Sequence, residues 1–317
     1  MNNPYKNTEE RAYLPTVTVG IPSHNGGRNI ESLLQSLFLQ KGNYNLKEVF
    51  VVCDGCTDDT QEKAERVSLK FPGIIQVLND HKRIGKVGRL SEMFSMATGD
   101  IFVQFDDDIV LLNTSVVDEI VRPIFLDEKV GLTFGNCVPL PPKTFVESMM
   151  SFELRAWERA LQLSTSDTDF HRCIGRARAF SRHFYRNFPI PNDAGSNEDA
   201  FSFLFAKENG HKTAYTPKSI VLFRLPSTVA DYITQMARFI KAENHLNDWF
   251  KTATIQEFTN SVSMRTKLKA LCLESFHSPI SESASFLFLH SIAIVQSRRR
   301  STVSGMFWET IKSSKRL

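Results

Sequence analysis

The sequence predicts an α/β fold: a mixed, mostly parallel sheet flanked by helices, with a helical C-terminal region. Three observations lead there. Short apolar runs rich in Val, Ile and Phe alternate with amphipathic stretches through the first half. Those runs are continuously hydrophobic, as strands covered on both faces are. Beyond residue 225 the strand-like runs stop and helical spacing takes over.

The elements follow in order. Val17 to Ile21 reads as a strand that Pro22 cannot continue as a central one. Ile30, Leu33, Leu34, Leu37 and Phe38 fall on one helical face. Val49 to Cys53 is a second buried strand ending in Asp54-Gly55. Thr57, Asp58 and Asp59 cap the next helix, whose inner face is Ala64, Val67 and Phe71. Ile74 to Leu78 is a third strand, and Leu90, Met93, Phe94 and Ala97 form a helical stripe. Ile101 to Phe105 is a fourth strand running into three aspartates, and Thr114 or Ser115 caps a helix over 113–125. Val130 to Val138 reads as extended, Val146 to Leu163 as helix, Ile174 to Ser181 as strand, Phe201 to Asn209 as helix and Thr213 to Leu222 as strand. Helices are then predicted over 229–247, 254–275, 282–296 and 301–314.

Composition narrows the function classes. The 317 residues carry 38 Lys+Arg against 35 Asp+Glu, which gives no broad positive field for a nucleic-acid backbone. With 42% hydrophobic residues the chain buries a large core and needs no staple. Five cysteines, an odd number, point to reduced thiols and a cytoplasmic setting. The first residues are polar, so no signal peptide is expected, and the longest apolar candidate, Phe286 to Val295, is interrupted by His290 and Ser291. From Arg298 to Leu317 six basic residues meet one acidic, which suits an anionic partner such as lipid headgroups or simply a solvated helix end.

In a parallel sheet, ligands bind at the carboxyl ends of the strands. Three polar clusters fall there: Ser23-His24-Asn25, Cys53-Asp54-Gly55 and Asp106-Asp107-Asp108. On an extended segment Asp106 and Asp108 point the same way and face one ligand together. Like charges that close call for a cation, and hard oxygen ligands suit Mg2+ or Mn2+ shared with substrate phosphates. A solvated acidic turn is the other reading.

Several segments then resemble glycosyltransferase family 2, the inverting GT-A (Rossmann-like) enzymes that use nucleoside-diphosphate sugars. Val19 to Asn25 resembles the family's opening strand and turn, and Val52-Cys53-Asp54-Gly55-Cys56-Thr57-Asp58 its nucleotide-recognising DDGSTD segment. Gly85 to Leu90 is similar to its GKAGAL stretch, and Ala97-Thr98-Gly99-Asp100 leads into a D-x-D motif at 106–108. Asn197-Glu198-Asp199 resembles the ED motif and Gln235-Met236-Ala237-Arg238-Phe239 the Q-x-x-R-W motif. Cys53 replaces the first Asp of its segment and Phe239 the usual Trp.

The resemblance implies a tail over 1–15, a catalytic GT-A domain over 16–225 and a helical region over 226–317 packing on it. It implies a sugar moved from a nucleotide donor, a UDP-sugar, to an acceptor hydroxyl on a saccharide or lipid-linked molecule. Asp199 is the implied base, with Glu198 beside the acceptor; Pro22, Ser23, His24, Asn25, Asp54, Lys86, Asp106, Asp107, Gln235 and Arg238 are implied at the donor, and Asp106 and Asp108 at Mn2+ or Mg2+. The expected setting is cytoplasmic, with peripheral contact at the inner face of the membrane through the basic C-terminus. A sugar-phosphate nucleotidyltransferase and a non-catalytic sugar-nucleotide-binding protein are the alternatives.

Other signals are weighed against plainer readings. Cys53-x-x-Cys56 lacks the second ligand pair of a zinc site and reads as packing beside the nucleotide. His24 lies along the base or in an exposed turn. Arg172, Arg176, Arg178 and Arg182, near Phe180 and His183, line an acceptor cleft or form a solvated face. Val303, Met306, Phe307 and Ile311, with Lys312, Lys315 and Arg316 beyond, lie on a membrane surface or pack on the core.

Overall fold

The computed structural model describes residues 13–190, 197–299, 311, 313–315 and 317; the side chains of 237–245 and 297–299 lie outside that description. The predicted tail over 1–15 therefore falls almost wholly outside it, as do Val303, Met306, Phe307, Lys312 and Arg316.

The first half builds one parallel sheet. Strands β1 (Thr16–Ser23), β2 (Asn45–Cys53), β3 (Ile75–Asn79) and β4 (Ile101–Phe105) alternate with helices α1 (Ile30–Phe38), α2 (Thr60–Ser68) and α3 (Gly85–Met96). All pairings among these strands are parallel, and β1 lies between β2 and β4. Side chains alternate across it: Val17, Val19, Ile21, Val49 and Val51 pack on α1 and α2, whereas Phe50, Val52 and Phe102 pack on α3. Contrary to expectation, β1 runs on through Pro22 to Ser23. The β4 ladder stops at Gly20, so Pro22 has a neighbouring strand only on the β2 side and its missing N–H breaks no ladder.

Beyond β4 the sheet becomes mixed. A short strand absent from the sequence reading, β5 (Ile109–Leu111), follows the aspartates directly. Helix α4 (Val116–Leu126) comes next; Ser115 stands at its N-cap but donates its hydroxyl to Asn113 Oδ1 at 2.9 Å rather than capping the helix. Then come β6 (Val130–Pro139), α5 (Phe145–Leu163), α6 (Asp169–Arg172), β7 (Ala177–Ser181), α7 (Arg182–Asn187), α8 (Glu198–Glu208) and β8 (Lys212–Phe223). The sheet order is β3-β2-β1-β4-β7-β6-β8-β5, with β7 antiparallel to β4 and β6. That reversal lets the segment before β7 return to the carboxyl end of β4.

Many of the 25 phenylalanines have a structural explanation. Phe94, Phe102, Phe180, Phe184, Phe188 and Phe201 pack between the sheet and α3, α7 and α8, with edge or tilted ring contacts.

The C-terminal region holds α9 (Val229–Ala242), α10 (Thr252–Thr259), α11 (Met264–His277) and α12 (Ile280–Arg299). The predicted helix over 254–275 is thus two helices, broken at 260–263. Met149, Phe223, Tyr232, Met236 and Ala293 share one buried cluster, tying α5, α9 and α12 to the end of β8. Among the described residues no helix is long and apolar enough to cross a membrane.

Candidate active site

The end of β1 sets the first wall of a cleft. Ser23 Oγ donates to Asp107 Oδ2 at 2.6 Å, joining the β1 end to the aspartate turn. The chain then reverses through Asn25 in the left-handed region (φ 55°), a conformation Asn tolerates. Gly26 follows where a Cβ would collide with Asp107 Oδ2 and come within 2.5 Å of Ser23 Oγ, so the close approach requires glycine. Asn25 Oδ1 accepts from Thr57 N at 2.8 Å and Cys56 Sγ donates to Ser23 O at 3.2 Å, which binds the β1 and β2 loops together. The cysteine pair is therefore a loop tie; Cys56 is held down at about 7, first by its hydrogen bond with Cys53, and the Cys53 thiol is pushed up.

Asp54 is spent on architecture. Its buried carboxylate accepts from Ile84 N at 2.7 Å and Gly85 N at 3.1 Å, the open donors at the start of α3, and from Arg89 Nε at 3.2 Å. His24 Nδ1 lies 2.7 Å from Asp54 O. The first two polar clusters are thereby fixed to the helix that carries Lys86.

The aspartate triplet is a turn between β4 and β5, not the extended segment expected. Asp106 Oδ1 accepts from Gln104 Nε2 at 2.9 Å and lies 2.7 Å from Lys86 Nζ. Lys86 also reaches Glu198 Oε1 at 2.9 Å and Gly175 O at 2.8 Å. Burial alone would lower the Lys86 pKa, but Asp106 and Glu198 outweigh it and the net shift is upward. Glu198, 2% exposed, is held from behind by Arg178, whose guanidinium also donates to Gln104 Oε1, Ser202 Oγ and Glu198 O. Glu198 Oε2 is buried with no hydrogen-bond partner among the described residues.

Asp199, in the first turn of α8, accepts from Gly175 N at 3.1 Å and Ala200 N at 2.8 Å. Burial first, and the Glu198 charge second, raise its pKa despite Arg178 and Lys86. Desolvation outweighs the helix N-terminus. Gly175 sits in the middle of this group: a Cβ there would lie 2.7 Å from Glu198 Oε1 and 3.1 Å from Lys86 Nζ.

The cleft is lined by Pro22, Ser23, His24, Asp54, Lys86, Asp106, Asp107, Asp108 and Gln235 from the sequence-predicted set, together with Arg83, Arg176 and Lys315. Asn25, Glu198 and Asp199 do not line it; Asn25 braces the β2 loop, while Glu198 and Asp199 stand behind Lys86 and Gly175. The Arg238 side chain lies outside the described residues, although α9 presents Gln235 three positions earlier. The four arginines near 172–182 do not share a face. Arg172 pairs with Glu158 at 2.9 Å, Arg178 is buried, Arg182 pairs with Asp100 at 3.3 Å, and Arg176 reaches the cleft after stacking on Phe223 at 3.9 Å. Arg176 precedes β7 and turns into the cleft, whereas Arg178, inside the strand, is buried on Glu198; the basic-aromatic pattern alone could not show it.

Lys315, for whose stretch the sequence offers a membrane surface or packing on the core, has its ammonium in the cleft, 2.8 Å from Asp107 Oδ1 and 2.7 Å from His24 O. No local motif marks it, because the contact spans 208 residues.

The donor set fits a divalent ion shared with phosphates. Among the described residues no group of three or more His, Cys, Asp or Glu side chains is arranged to hold a metal ion by itself. Hard cations that keep phosphate and water ligands need only one or two carboxylates. Asp108 is raised to about 6, first by burial and then by Asp107 and Asp106, with Lys315 and Arg176 opposing. A buried acid turn that already draws an ammonium is a site in want of positive charge.

A parallel half-sheet with an acidic turn and a cleft of mixed charge at its strand ends has the layout of an α/β enzyme of the GT-A class. The profile of the glycosyltransferase-like family 2 matches residues 15–242. Glycosyltransferase AglD of Haloferax volcanii is 30% identical over 216 residues, 63% of this chain and 32% of its own. A dolichol-phosphate mannosyltransferase of Pyrococcus furiosus is 37% identical over 95 residues, 29% of this chain and 26% of its own. The chain thus spans about a third or less of these relatives. Among solved structures, mannosyltransferase PcManGT from Pyrobaculum calidifontis, in complex with GDP-Man and Mn2+, superposes with a TM-score of 0.60 at 20% identity, covering 91% of this chain and 83% of that one. That likeness bears out the GT-A fold. The chain belongs to the glycosyltransferase-like family 2.

Proposed function

We propose that this chain is the catalytic unit of an inverting transferase that moves a sugar from a nucleoside-diphosphate donor to an acceptor hydroxyl. The observation that carries the reading is the Lys86 ammonium, held by Asp106 of the donor turn on one side and Glu198 of the acidic helix start on the other. It couples a group that faces a diphosphate to the start of α8, where Asp199 follows Glu198. We place the catalytic unit at 16–225, with α9 adding Gln235 and Arg238 to its donor side.

Each residue then has a task. Asp106 and Asp108 would hold Mn2+ or Mg2+, which supplies positive charge to the departing diphosphate. Lys86 and Arg176 add fixed positive charge beside it. Ser23 orients Asp107, and the β1 and β2 loops present the His24 and Asp54 walls to the nucleotide. The acceptor oxygen attacks the anomeric carbon, the bond to the diphosphate oxygen breaks, and the hydroxyl proton passes to the Asp199 carboxylate. Burial, which raises its pKa, makes it a stronger base than a solvated aspartate. Glu198 positions Lys86 and Arg178 rather than meeting the acceptor itself.

The Val52–Asp58 segment favours a UDP-sugar, while the complex of the Pyrobaculum calidifontis protein with GDP-Man makes GDP-mannose the second candidate. The relative named a dolichol-phosphate mannosyltransferase favours a lipid-linked acceptor over a free saccharide. Peripheral association with the inner face of a membrane accords with that acceptor. The test is a panel of UDP- and GDP-sugars with Mn2+, scored by product analysis. Release of nucleoside diphosphate is expected; release of pyrophosphate would make the protein a nucleotidyltransferase, and donor binding without turnover for any acceptor a binding protein.

A further inference from the structure

We propose that Lys315 is a donor-binding residue: Ile311, Ser314 and Lys315 line one side of the cleft, and the Lys315 ammonium is a cation that grips the donor diphosphate. This rests on the nucleoside-diphosphate reading above and adds to it a residue that no motif contains.

The segment is anchored on both sides of the cleft. Asn29 Nδ2, at the start of α1, donates to Lys315 O at 3.1 Å. Ser313 Oγ donates to Asp231 Oδ2 and accepts from Ser227 N at 3.0 Å, fixing it to the first turn of α9, one turn before Gln235. Ile311 is buried at 8% exposure. These contacts bring residues from the far end of the chain onto the β1 loop. The position of Lys315 is thus held by its backbone and its neighbours, not by its own charge alone.

The ammonium is placed for more than a structural ion pair. Its partners are Asp107 Oδ1 at 2.8 Å, Asp107 Oδ2 at 2.9 Å and His24 O at 2.7 Å, all from clusters that face the donor. It engages the middle aspartate and leaves Asp106 and Asp108 to other cations. Among the described residues the cleft is lined by four cationic side chains, Arg83, Lys86, Arg176 and Lys315, against four carboxylates. Without Lys315 three cations face four carboxylates, and an incoming diphosphate would meet an excess of negative charge. A lysine ammonium has three donors on a flexible stem, so it can keep Asp107 while turning one N–H to a phosphate oxygen.

The test compares the full-length protein with Lys315→Met and Lys315→Arg. UDP and GDP binding, with Mn2+ and with EDTA, is measured by titration calorimetry beside the matching nucleoside monophosphates. Lys315→Met is expected to weaken diphosphate binding about tenfold or more, the loss of one charge-assisted contact. Monophosphate binding should change far less, the donor KM should rise more than kcat falls, and Lys315→Arg should recover most of the affinity. Tighter diphosphate or Mn2+ binding in Lys315→Met would overturn the proposal and make the segment a plug. Equal affinity in a folded Lys315→Met would reduce it to a structural strap. Should Lys315→Met fail to fold, Lys315→Gln is put through the same comparison, and unchanged affinity there has the same meaning. A wild-type protein that binds no nucleoside diphosphate would sink the donor reading itself, an outcome distinct from any difference between variants.

Discussion

Lys86 Nζ stands 2.9 Å from Glu198 Oε1, a carboxylate 2% exposed whose second oxygen has no partner among the described residues. The lysine is therefore the main compensation for buried negative charge, with Arg178 farther off at 3.4 Å. Lys86→Met should cost about 3 kcal/mol of stability, the usual consequence of removing one partner from a buried pair. Urea unfolding measures it, and a loss below about 0.5 kcal/mol, the range of ordinary surface changes, would show that the pair is not structural.

Asp199 differs from Glu198 in what it can do, because among the described residues its carboxylate accepts from the backbone N–H groups of Gly175 and Ala200. Asp199→Asn keeps the shape and one acceptor while removing the base. Turnover should fall by about 10³, within the range of general-base catalysis, while UDP and GDP affinity stays within about twofold. Retained turnover would remove Asp199 from the reaction.

The parallel half of the fold was legible because Val17 to Ile21, Val49 to Cys53 and Ile101 to Phe105 are each continuous apolar runs with helical stripes between them. The strand-end clusters followed from that order, and most of their residues do line one cleft. What escaped depends on long-range pairing. Ile109–Leu111 is too short to show a period and becomes a strand only by pairing with β8. Asp54 reads as a ligand in its motif, yet its oxygens go to the α3 N-terminus and Arg89. Arg176 and Arg178 are two residues apart, but one lines the cleft and the other is buried on Glu198. Lys315 carries no local signal at all.

Asp108 titrates near 6 through burial and the charges of Asp107 and Asp106. A metal ion competes with the proton for that carboxylate, so Mn2+ affinity should fall as pH drops through about 6 and level off above it. Calorimetric titration with Mn2+ at several pH values, without nucleotide, reads this directly. Asp108→Asn should bind Mn2+ more weakly and lose that pH dependence; an unchanged profile would take Asp108 out of the metal set.

Gly26→Ala tests the join between the β1 loop and the aspartate turn. The added methyl overlaps Asp107 Oδ2 and Ser23 Oγ, so the hydrogen bond between them at 2.6 Å must open. Stability should drop by about 1–3 kcal/mol, as for other overpacked sites, and donor KM should rise. Gly73→Ala is the control: its φ of 80° makes it strained as well, but among the described residues a Cβ there meets nothing within 4 Å, and Gly73 does not line the cleft. Equal effects of the two substitutions on KM would mean that the loop contact does not shape the donor site.

His171 offers a pH test of packing away from the cleft. Its ring lies edge-on to Trp157 at 5.1 Å, with Nε2 3.1 Å from Ser261 Oγ. Burial first, then the Lys267 charge, lowers its pKa to about 4, against a smaller upward pull from the Phe258 backbone. The unfolded chain protonates near 6.5 and the folded chain only near 4, so between these values the unfolded state holds the extra proton. The stability this neutral ring contributes is therefore complete above pH 6.5 and is lost as pH falls toward about 4. Urea midpoints of wild type and His171→Gln, compared at pH 7, 6 and 5, isolate that contribution from the other acids. The gap between the two proteins should narrow as pH falls, and a gap that stays constant would show that the imidazole is not held neutral between α5 and the turn at 260–263.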